Sequence, residues 1–128
     1  MKKKITILFG VTVLFLLTAN VVSAQNAPLE KQIKLVRGHK LVLKSQVYEG
    51  DDFTYTFRAR SGQTLTVRLT GRDADFTVNT NDGQEVYPIT KVTKFWSGKL
   101  PYDNTNKYSI TLTSNYKSAS YTLEVTLK

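Results

Sequence analysis

The chain has 128 residues, no cysteine, one tryptophan and a formal net charge of +8 at neutral pH. The missing cysteine excludes thiol catalysis, disulfide bonds and lipid attachment at a cysteine. The only histidine, His39, excludes a histidine-based zinc site, because such a site needs more nitrogen or sulfur ligands than this chain has.

The first 24 residues read as a secretory signal peptide. Residues 2–4 are lysines, residues 5–19 form a nearly continuous apolar run, and residues 22–24 fit a small-x-Ala cleavage site. The apolar run is short for a membrane span, so we expect cleavage, no remaining span, and a periplasmic or secreted protein. We therefore predict a signal peptide over 1–24, a loose lead over 25–31 and one domain over 32–128. The mature 128 − 24 = 104 residues keep 18 − 3 = 15 basic and 10 acidic side chains, a net charge of about +5.

Apolar and polar residues alternate along most of the mature chain, as in residues 53–58, 64–70, 107–113 and 120–127. This period of two is typical of strands with one buried face, and no segment shows a helical stripe. The predicted strands lie near residues 32–36, 41–48, 52–59, 64–70, 75–80, 84–88, 91–97, 107–113 and 120–127. We therefore predict an all-β fold, a two-sheet antiparallel β-sandwich of about eight to nine strands.

The alternation also suggests strand pairs, because two residues that are paired across adjacent strands point to the same face of the sheet. We predict three hairpins, whose central pairs are Phe57 with Val67, Val78 with Val86, and Ile110 with Leu123. The first two turns contain Gly62 and Gly83, which can adopt the positive φ that short hairpin loops need. The first pairing would place Arg58, Arg60 and Arg68 on one outer face, as an anion-binding patch or as an ordinary solvated surface.

No group of residues forms a convincing catalytic or metal site. His39 lies beside Gly38 at an apparent bend, without a nucleophile-elbow motif, so we expect a turn histidine and not an enzyme. Asp73, Asp75 and Asp82 could meet at a calcium ion, but their spacing matches no known calcium loop and turn or strand-entry roles are the alternative. Nucleic acid is not expected as a partner, because the aromatics next to the arginines point inward by parity.

The segment from Phe95 to Lys107 is the richest candidate for binding. It contains Trp96, Lys99 and Tyr102, and loops at the ends of a sandwich often carry binding residues. The alternative is that an aromatic side chain belongs to the core and the rest is a turn. Alternation favours Phe95 in the core and Trp96 on the surface.

Four segments occur in a recognisable order: "VRGHKLVLKSQVYEGDDFTYTFRARSGQTLTVRL" (36–69), "DFTV" (75–78), "FWSGKLPYDNTNKYSITL" (95–112) and "ASYTLEVTL" (119–127). Together they resemble the bacterial exported inhibitors of g-type lysozyme, and more widely the pre-peptidase C-terminal-like sandwich domains. Each motif is mostly turn chemistry, and their order and spacing carry the resemblance, which spans about residues 33 to 127.

The resemblance implies a non-catalytic, monomeric sandwich whose loops enter the saccharide cleft of a muramidase. In that family the loop before the last strand is usually longer and rich in arginine, and here Tyr116 and Lys117 take its place. We expect no cofactor and a protein partner, a lysozyme of the g-type. The expected partner-binding residues are Trp96, Lys99, Tyr102, Lys107, Tyr116 and Lys117. The alternative is a stand-alone glycan- or cell-surface-binding module of the pre-peptidase type, with Trp96 and Tyr102 stacked on sugar rings.

Overall fold

The computed structural model describes residues 29–87 and 94–128, and the predicted signal peptide lies outside them. Over these ranges the backbone forms nine strands and no helix. No helix long and apolar enough to cross a membrane occurs in the described ranges. The strands are β1 (Glu30–Gln32), β2 (Lys40–Tyr48), β3 (Phe53–Arg58), β4 (Thr64–Thr70), β5 (Ala74–Thr80), β6 (Glu85–Tyr87), β7 (Phe95–Lys99), β8 (Lys107–Ser114) and β9 (Ser118–Leu127).

The strands form two sheets that pack face to face. One sheet has the order β1-β3-β8-β5-β6, and the other has the order β2-β9-β4-β7. All pairs are antiparallel except β1 with β3, which is parallel. The predicted all-β sandwich is therefore confirmed.

Alternating side chains from both sheets fill the space between them. Ile110 of β8 and Leu123 of β9 are completely buried, and the apolar residues that alternate with polar ones along each strand are buried as well. Fully burying a leucine or isoleucine side chain stabilises the fold by about 1.5–3 kcal/mol. The two sheets are also joined by a hydrogen bond of 2.6 Å between the buried hydroxyls of Tyr55 in β3 and Tyr121 in β9.

Two of the three predicted hairpins are wrong, because their strands lie in different sheets. Phe57 pairs with Tyr108 and not with Val67, and Ile110 pairs with Tyr55 and Val78 and not with Leu123. Parity specifies which face a residue occupies, but it does not specify the neighbouring strand. The segments after β3 and β8 cross between sheets, as in Greek-key sandwiches.

The turn at Gly62 has the backbone conformation of a hairpin turn, although it connects strands of two different sheets. Gly62 has a φ of +87°, as its hairpin role required, but its N–H donates to the carbonyl of Leu100 at 2.8 Å. The turn is therefore held by the β7–β8 connection of the chain and not by a strand partner of β3.

The β5–β6 hairpin is confirmed, with a register that differs by one residue. Val78 pairs with Tyr87 and not with Val86, because a bulge lies between Val78 and Asn79. Gly83 has the expected positive φ of +88°. The predicted end of pairing at Pro88 and the start of the predicted strand 91–97 fall outside the described residues. The predicted first strand, 32–36, is also displaced, since β1 covers Glu30–Gln32.

Candidate functional site

The strand directions place the loops at two opposite ends of the sandwich. We call one the Tyr116 end, made of loops 49–52, 71–73 and 115–117. We call the other the Arg58 end, made of segments 33–39, 59–63, 81–84 and 100–106 together with the strand residues that begin or finish there. The strand β8 runs from the Arg58 end to the Tyr116 end over eight residues, a distance of roughly 25 Å.

The six predicted binding residues do not form one surface. Tyr116 and Lys117 lie at the Tyr116 end, whereas Lys99, Tyr102 and Lys107 lie at the Arg58 end. Trp96 lies within β7, between the two ends. A single partner cleft of ordinary size cannot therefore contact all six, and the two ends need separate treatment.

The predicted orientations of Phe95 and Trp96 are wrong. Trp96 is half-buried against the core and pairs with the buried Val67, while Phe95 is 46% exposed. The indole lies over Gly98, where an added Cβ would come within 2.5 Å of the Trp96 Cζ2 atom. The tryptophan thus covers the edge of the core, and the glycine two residues later makes room for its ring.

Arg68 is separated from the other arginines of the predicted patch, because β3 and β4 belong to different sheets. Arg68 stacks on the ring of Phe95, 4.9 Å from its centre, on the outer face of the four-stranded sheet. Arg58 lies on the five-stranded sheet, directly across from Lys107 of β8. The prediction that Arg68 shares an outer face with Arg58 and Arg60 is therefore wrong, whereas Arg58 and Arg60 do line one cleft.

The loop at the Tyr116 end is short, and hydrogen bonds from the Ser114 side chain and from Glu49 hold its backbone. The Ser114 hydroxyl donates to the carbonyl of Tyr116 at 2.6 Å, and the Tyr116 N–H lies 3.2 Å from the same hydroxyl oxygen. The N–H of Glu49 donates to the carbonyl of Lys117 at 3.2 Å. These bonds fix the backbone on both sides of Tyr116, whose side chain is 59% exposed.

Asn115 attaches the same loop to the start of β5. Its backbone N–H donates to the carbonyl of Asp73 at 2.8 Å, and its side-chain amide donates to the carboxylate of Asp75. Lys94 also approaches Asp75, at 3.5 Å. A loop anchored in this way loses little conformational entropy when it binds a partner.

Tyr48 is a residue of this surface that the sequence reasoning missed. It is 51% exposed and pairs with Ser118, at the start of the strand that follows Lys117. Its hydroxyl donates to the side-chain oxygen of Gln46 at 3.0 Å, and Gln46 in turn donates to Ser120 at 3.2 Å. The available signal was parity, because Val47 faces the core and the next residue must then face solvent.

Carboxylates outnumber cations at the Tyr116 end. Once Asp75 is paired with Lys94, the remaining acidic residues of its loops are Glu49, Asp51, Asp52 and Asp73, and the remaining basic residues are Arg72 and Lys117. The described residues of this end are therefore acidic on balance, although the whole chain is basic.

The carboxylates considered for calcium do not meet. Asp75 lies at the start of β5, and Asp82 follows the end of this seven-residue strand, so roughly 20 Å of strand separates them. In residues 29–87 and 94–128, no three His, Cys, Asp or Glu side chains are grouped as a metal site requires. His39 is exposed in the turn at Gly38, and its N–H donates to the carbonyl of Val36 at 2.9 Å.

Asp103 organises the long loop at the Arg58 end. Its carboxylate accepts from the hydroxyl and the N–H of Thr105, the latter at 3.0 Å. The Thr105 hydroxyl contributes most to lowering the pKa of Asp103 below its ordinary value, against a smaller opposing effect of desolvation. The Tyr108 hydroxyl donates to the carbonyl of Pro101 at 2.6 Å, which fixes the other side of the loop. Tyr102, 77% exposed, is presented by this framework.

No protein-family model matches this sequence, and neither does any curated protein. Solved structures do match. A periplasmic inhibitor of g-type lysozyme from Aeromonas hydrophila is 25% identical with a TM-score of 0.58, and the match covers 77% of this chain and 99% of that one.

Two further inhibitors of g-type lysozyme have the same fold. A mutant of the Escherichia coli protein has a TM-score of 0.59 at 20% identity, over 77% of this chain and 97% of that chain. The Salmonella Typhimurium protein has a TM-score of 0.54 at 16% identity, over 77% and 99%. These neighbours are inhibitors of g-type lysozyme, the group that the sequence motifs resemble. The chain has the fold of the periplasmic inhibitors of g-type lysozyme.

Proposed function

We propose that this chain is an exported, non-catalytic inhibitor of a g-type lysozyme and that it acts through the Tyr116 end. The observation that carries the proposal is the match with the Aeromonas hydrophila inhibitor, which extends over almost the whole of that protein at 25% identity. The ordered sequence motifs support the same function independently of the coordinates.

The geometry of the Tyr116 end suits a loop that enters a cleft. Tyr48 and Tyr116 expose large rings on adjacent segments, and tyrosine gives much contact area for few rotatable bonds. The hydrogen bonds of Ser114 and Asn115 hold the loop backbone in place before binding. Preorganisation of this kind lowers the free-energy cost of association.

The charges of this end fit a muramidase cleft. The catalytic machinery of glycoside hydrolases includes a carboxylic acid, and the ammonium group of Lys117 is a suitable partner for it in a desolvated cleft. The surrounding carboxylates, among them Glu49 and Asp51, would face the outer surface of the enzyme. A basic muramidase is therefore attracted to this end, although the mature inhibitor is basic overall.

The Arg58 end contributes little to this function. Lys99, Tyr102 and Lys107 lie roughly 25 Å from Tyr116 and cannot enter the same cleft. The alternative, a glycan-binding module, relied on Trp96 and Tyr102 as stacking platforms. Its support is reduced because Trp96 packs against the core.

A periplasmic location belongs to the same proposal. The lysine-rich start, the apolar run and the cleavage site of the first 24 residues support export. The three structural neighbours are described as periplasmic proteins. An inhibitor at this location would meet a muramidase that attacks the cell wall.

A lysis assay tests the proposal. Purified protein at micromolar concentration should slow g-type lysozyme on peptidoglycan and leave c- and i-type lysozymes unaffected. Tyr116→Ala should weaken inhibition by ~30-fold or more, because a central aromatic anchor contributes about 2 kcal/mol or more. Tyr102→Ala removes an even more exposed tyrosine at the other end and is the matched control. The proposal fails if g-type lysozyme is not slowed, or if Tyr102→Ala weakens inhibition as much as Tyr116→Ala.

A further inference from the structure

The Arg58 end carries a pair of like charges that the fold itself does not explain. Arg58 ends β3 and Lys107 begins β8, and the two residues are direct partners across the antiparallel pair. Their neighbours Phe57 and Tyr108 are 1% exposed, so the charged side chains share the outer face of the sheet. Like charges directly opposite each other destabilise a sheet.

No carboxylate compensates for this pair within the described ranges. The ion pairs found there are Lys40 with Glu124 and Lys94 with Asp75. Asp103, the nearest acidic residue of the loop before β8, is buried and bonded to Thr105 and to the N–H of Lys107. Its side chain therefore organises the loop and does not face Arg58 as a salt-bridge partner.

Arg58 lines three clefts, and two of them are lined mainly by polar and charged side chains. One of these two, of about 360 Å³, is lined by Arg58 and Lys107 together with Gln32, Thr56 and Asn81. The other, of about 510 Å³, adds Arg37, Arg60, Gln63 and Asn106. The side-chain oxygen of Gln63 accepts from the Arg60 N–H at 2.7 Å, which leaves its amide nitrogen as a donor. Both clefts are thus lined by cationic and amide donors.

Glu30 is the carboxylate that lines the first cleft. It pairs with Thr54, four residues before Arg58, so roughly 13 Å of strand separates the two positions. Because its carboxylate repels anions, Glu30 confines the anionic part of a ligand to the half of the cleft near Arg58 and Lys107.

We propose that the Arg58 end is a binding site for an anion with several closely spaced phosphate groups, with Arg58 shared between two phosphate subsites. Guanidinium groups bind phosphate oxygens through paired hydrogen bonds, and amide side chains add neutral donors. Because cations line both clefts, a chain of linked phosphates fits better than a single one. The site is separate from the Tyr116 end and does not depend on the proposed lysozyme inhibition.

Calorimetric titration of the purified protein with tripolyphosphate and with orthophosphate, at low salt, tests the proposal. Tripolyphosphate should bind at least tenfold more tightly than orthophosphate, and its affinity should fall steeply between 50 and 200 mM salt because the contacts are ionic. Arg58→Gln should weaken tripolyphosphate binding at least tenfold. Glu30→Gln should strengthen it. Lys44→Gln, which removes an equal charge from the exposed outer face of β2, is the matched control and should have no effect.

Vesicles distinguish a lipid source of phosphate from a soluble one. The site would be assigned to lipid headgroups if the protein cosediments with phosphatidylglycerol vesicles but not with phosphatidylcholine vesicles, and if Arg58→Gln reduces this cosedimentation. Tripolyphosphate binding without vesicle binding would assign it to a soluble or polymeric phosphate. The proposal is overturned if neither probe binds, or if Lys44→Gln weakens binding as much as Arg58→Gln.

A stability measurement separates this role from a merely structural one. Without added anion, Lys107→Gln should leave the melting temperature unchanged or raise it, because the variant relieves the repulsion with Arg58. In tripolyphosphate the wild-type protein should gain more stability than the variant, because only bound ligand stabilises the folded state. A lower melting temperature of Lys107→Gln in the absence of anion would show that Lys107 stabilises the fold and would contradict the proposal.

Discussion

The hydroxyl pair of Tyr55 and Tyr121 gives a prediction whose magnitude follows from the structure. The two oxygens lie 2.6 Å apart, both side chains are almost completely buried, and each belongs to a different sheet. Tyr121→Phe removes one hydroxyl and leaves the other in the core without this partner. An unpaired buried hydroxyl costs about 1–3 kcal/mol, and we expect the free energy of unfolding to fall by that amount.

A double-mutant cycle isolates the hydrogen bond from the effects of burial. Tyr55→Phe and Tyr121→Phe together remove both polar groups, so the double variant should be more stable than the sum of the two single losses predicts. Urea unfolding followed by fluorescence measures these free energies, because the half-buried Trp96 is the only tryptophan of the chain. Additive losses, or a loss below about 0.5 kcal/mol for Tyr121→Phe, would refute the assigned contact.

The same pair predicts how stability depends on alkaline pH. Burial, and after it the hydrogen bond to Tyr55, raises the pKa of Tyr121 well above its ordinary value. The folded protein therefore keeps a proton that the unfolded chain releases near pH 10, so the stability is intact below pH 10 and declines above it. One such group lowers the free energy of unfolding by about 1.4 kcal/mol at pH 11. Tyr121→Phe should show a correspondingly smaller decline between pH 8 and 11, and parallel curves would contradict the argument.

Two further variants test local packing and loop chemistry. Gly98→Ala should destabilise the protein by about 1–3 kcal/mol in urea unfolding, because its Cβ would overlap the Trp96 ring, and Trp96→Leu in the same chain should recover part of the loss. Asp103→Asn should reduce the loss of unfolding free energy at acid pH. The lowered pKa of Asp103 gives stability that is present above the ordinary aspartate pKa and is lost as the pH falls through the folded pKa. An acid unfolding transition that the variant leaves unchanged would contradict this role of Asp103.

Alternation in the sequence was sufficient to predict the faces of the strands, and hence the sandwich. The buried residues of β3, β4, β8 and β9 are the alternating apolar residues of those segments. Hydrophobic burial acts on one residue at a time, so its pattern is visible in a single sequence. Pairing was not visible in the same way. Phe57 packs inward whether its neighbour is β4 or β8, and only the topology decides between them.

The same distinction applies to the candidate site: the sequence predicts which face a residue occupies but not which strand lies beside it. Tyr116 and Lys117 could be identified because they occupy a loop before the last strand, where position along the chain is sufficient. Tyr48 could not be grouped with them, because its proximity depends on the pairing of β2 with β9. The prediction for Trp96 was wrong for another reason, since alternation in β7, an edge strand, favoured an exposed indole. The pairing of Trp96 with the buried Val67 places the indole against the core, and Gly98 leaves room for its ring.

The separation of the two ends has a consequence for both proposals. The charge of the described residues is not spread evenly, since four loop carboxylates lie at the Tyr116 end, whereas Arg37, Arg58 and Arg60 lie at the Arg58 end. A single net charge therefore predicts neither partner, because association depends on the local potential within about one Debye length, about 8 Å at physiological ionic strength. Roughly three such lengths separate Lys107 from Tyr116 along β8. A variant at one end should therefore leave the affinity at the other unchanged, and a strong effect of Arg58→Gln on lysozyme inhibition would show that the two ends are coupled through the sandwich.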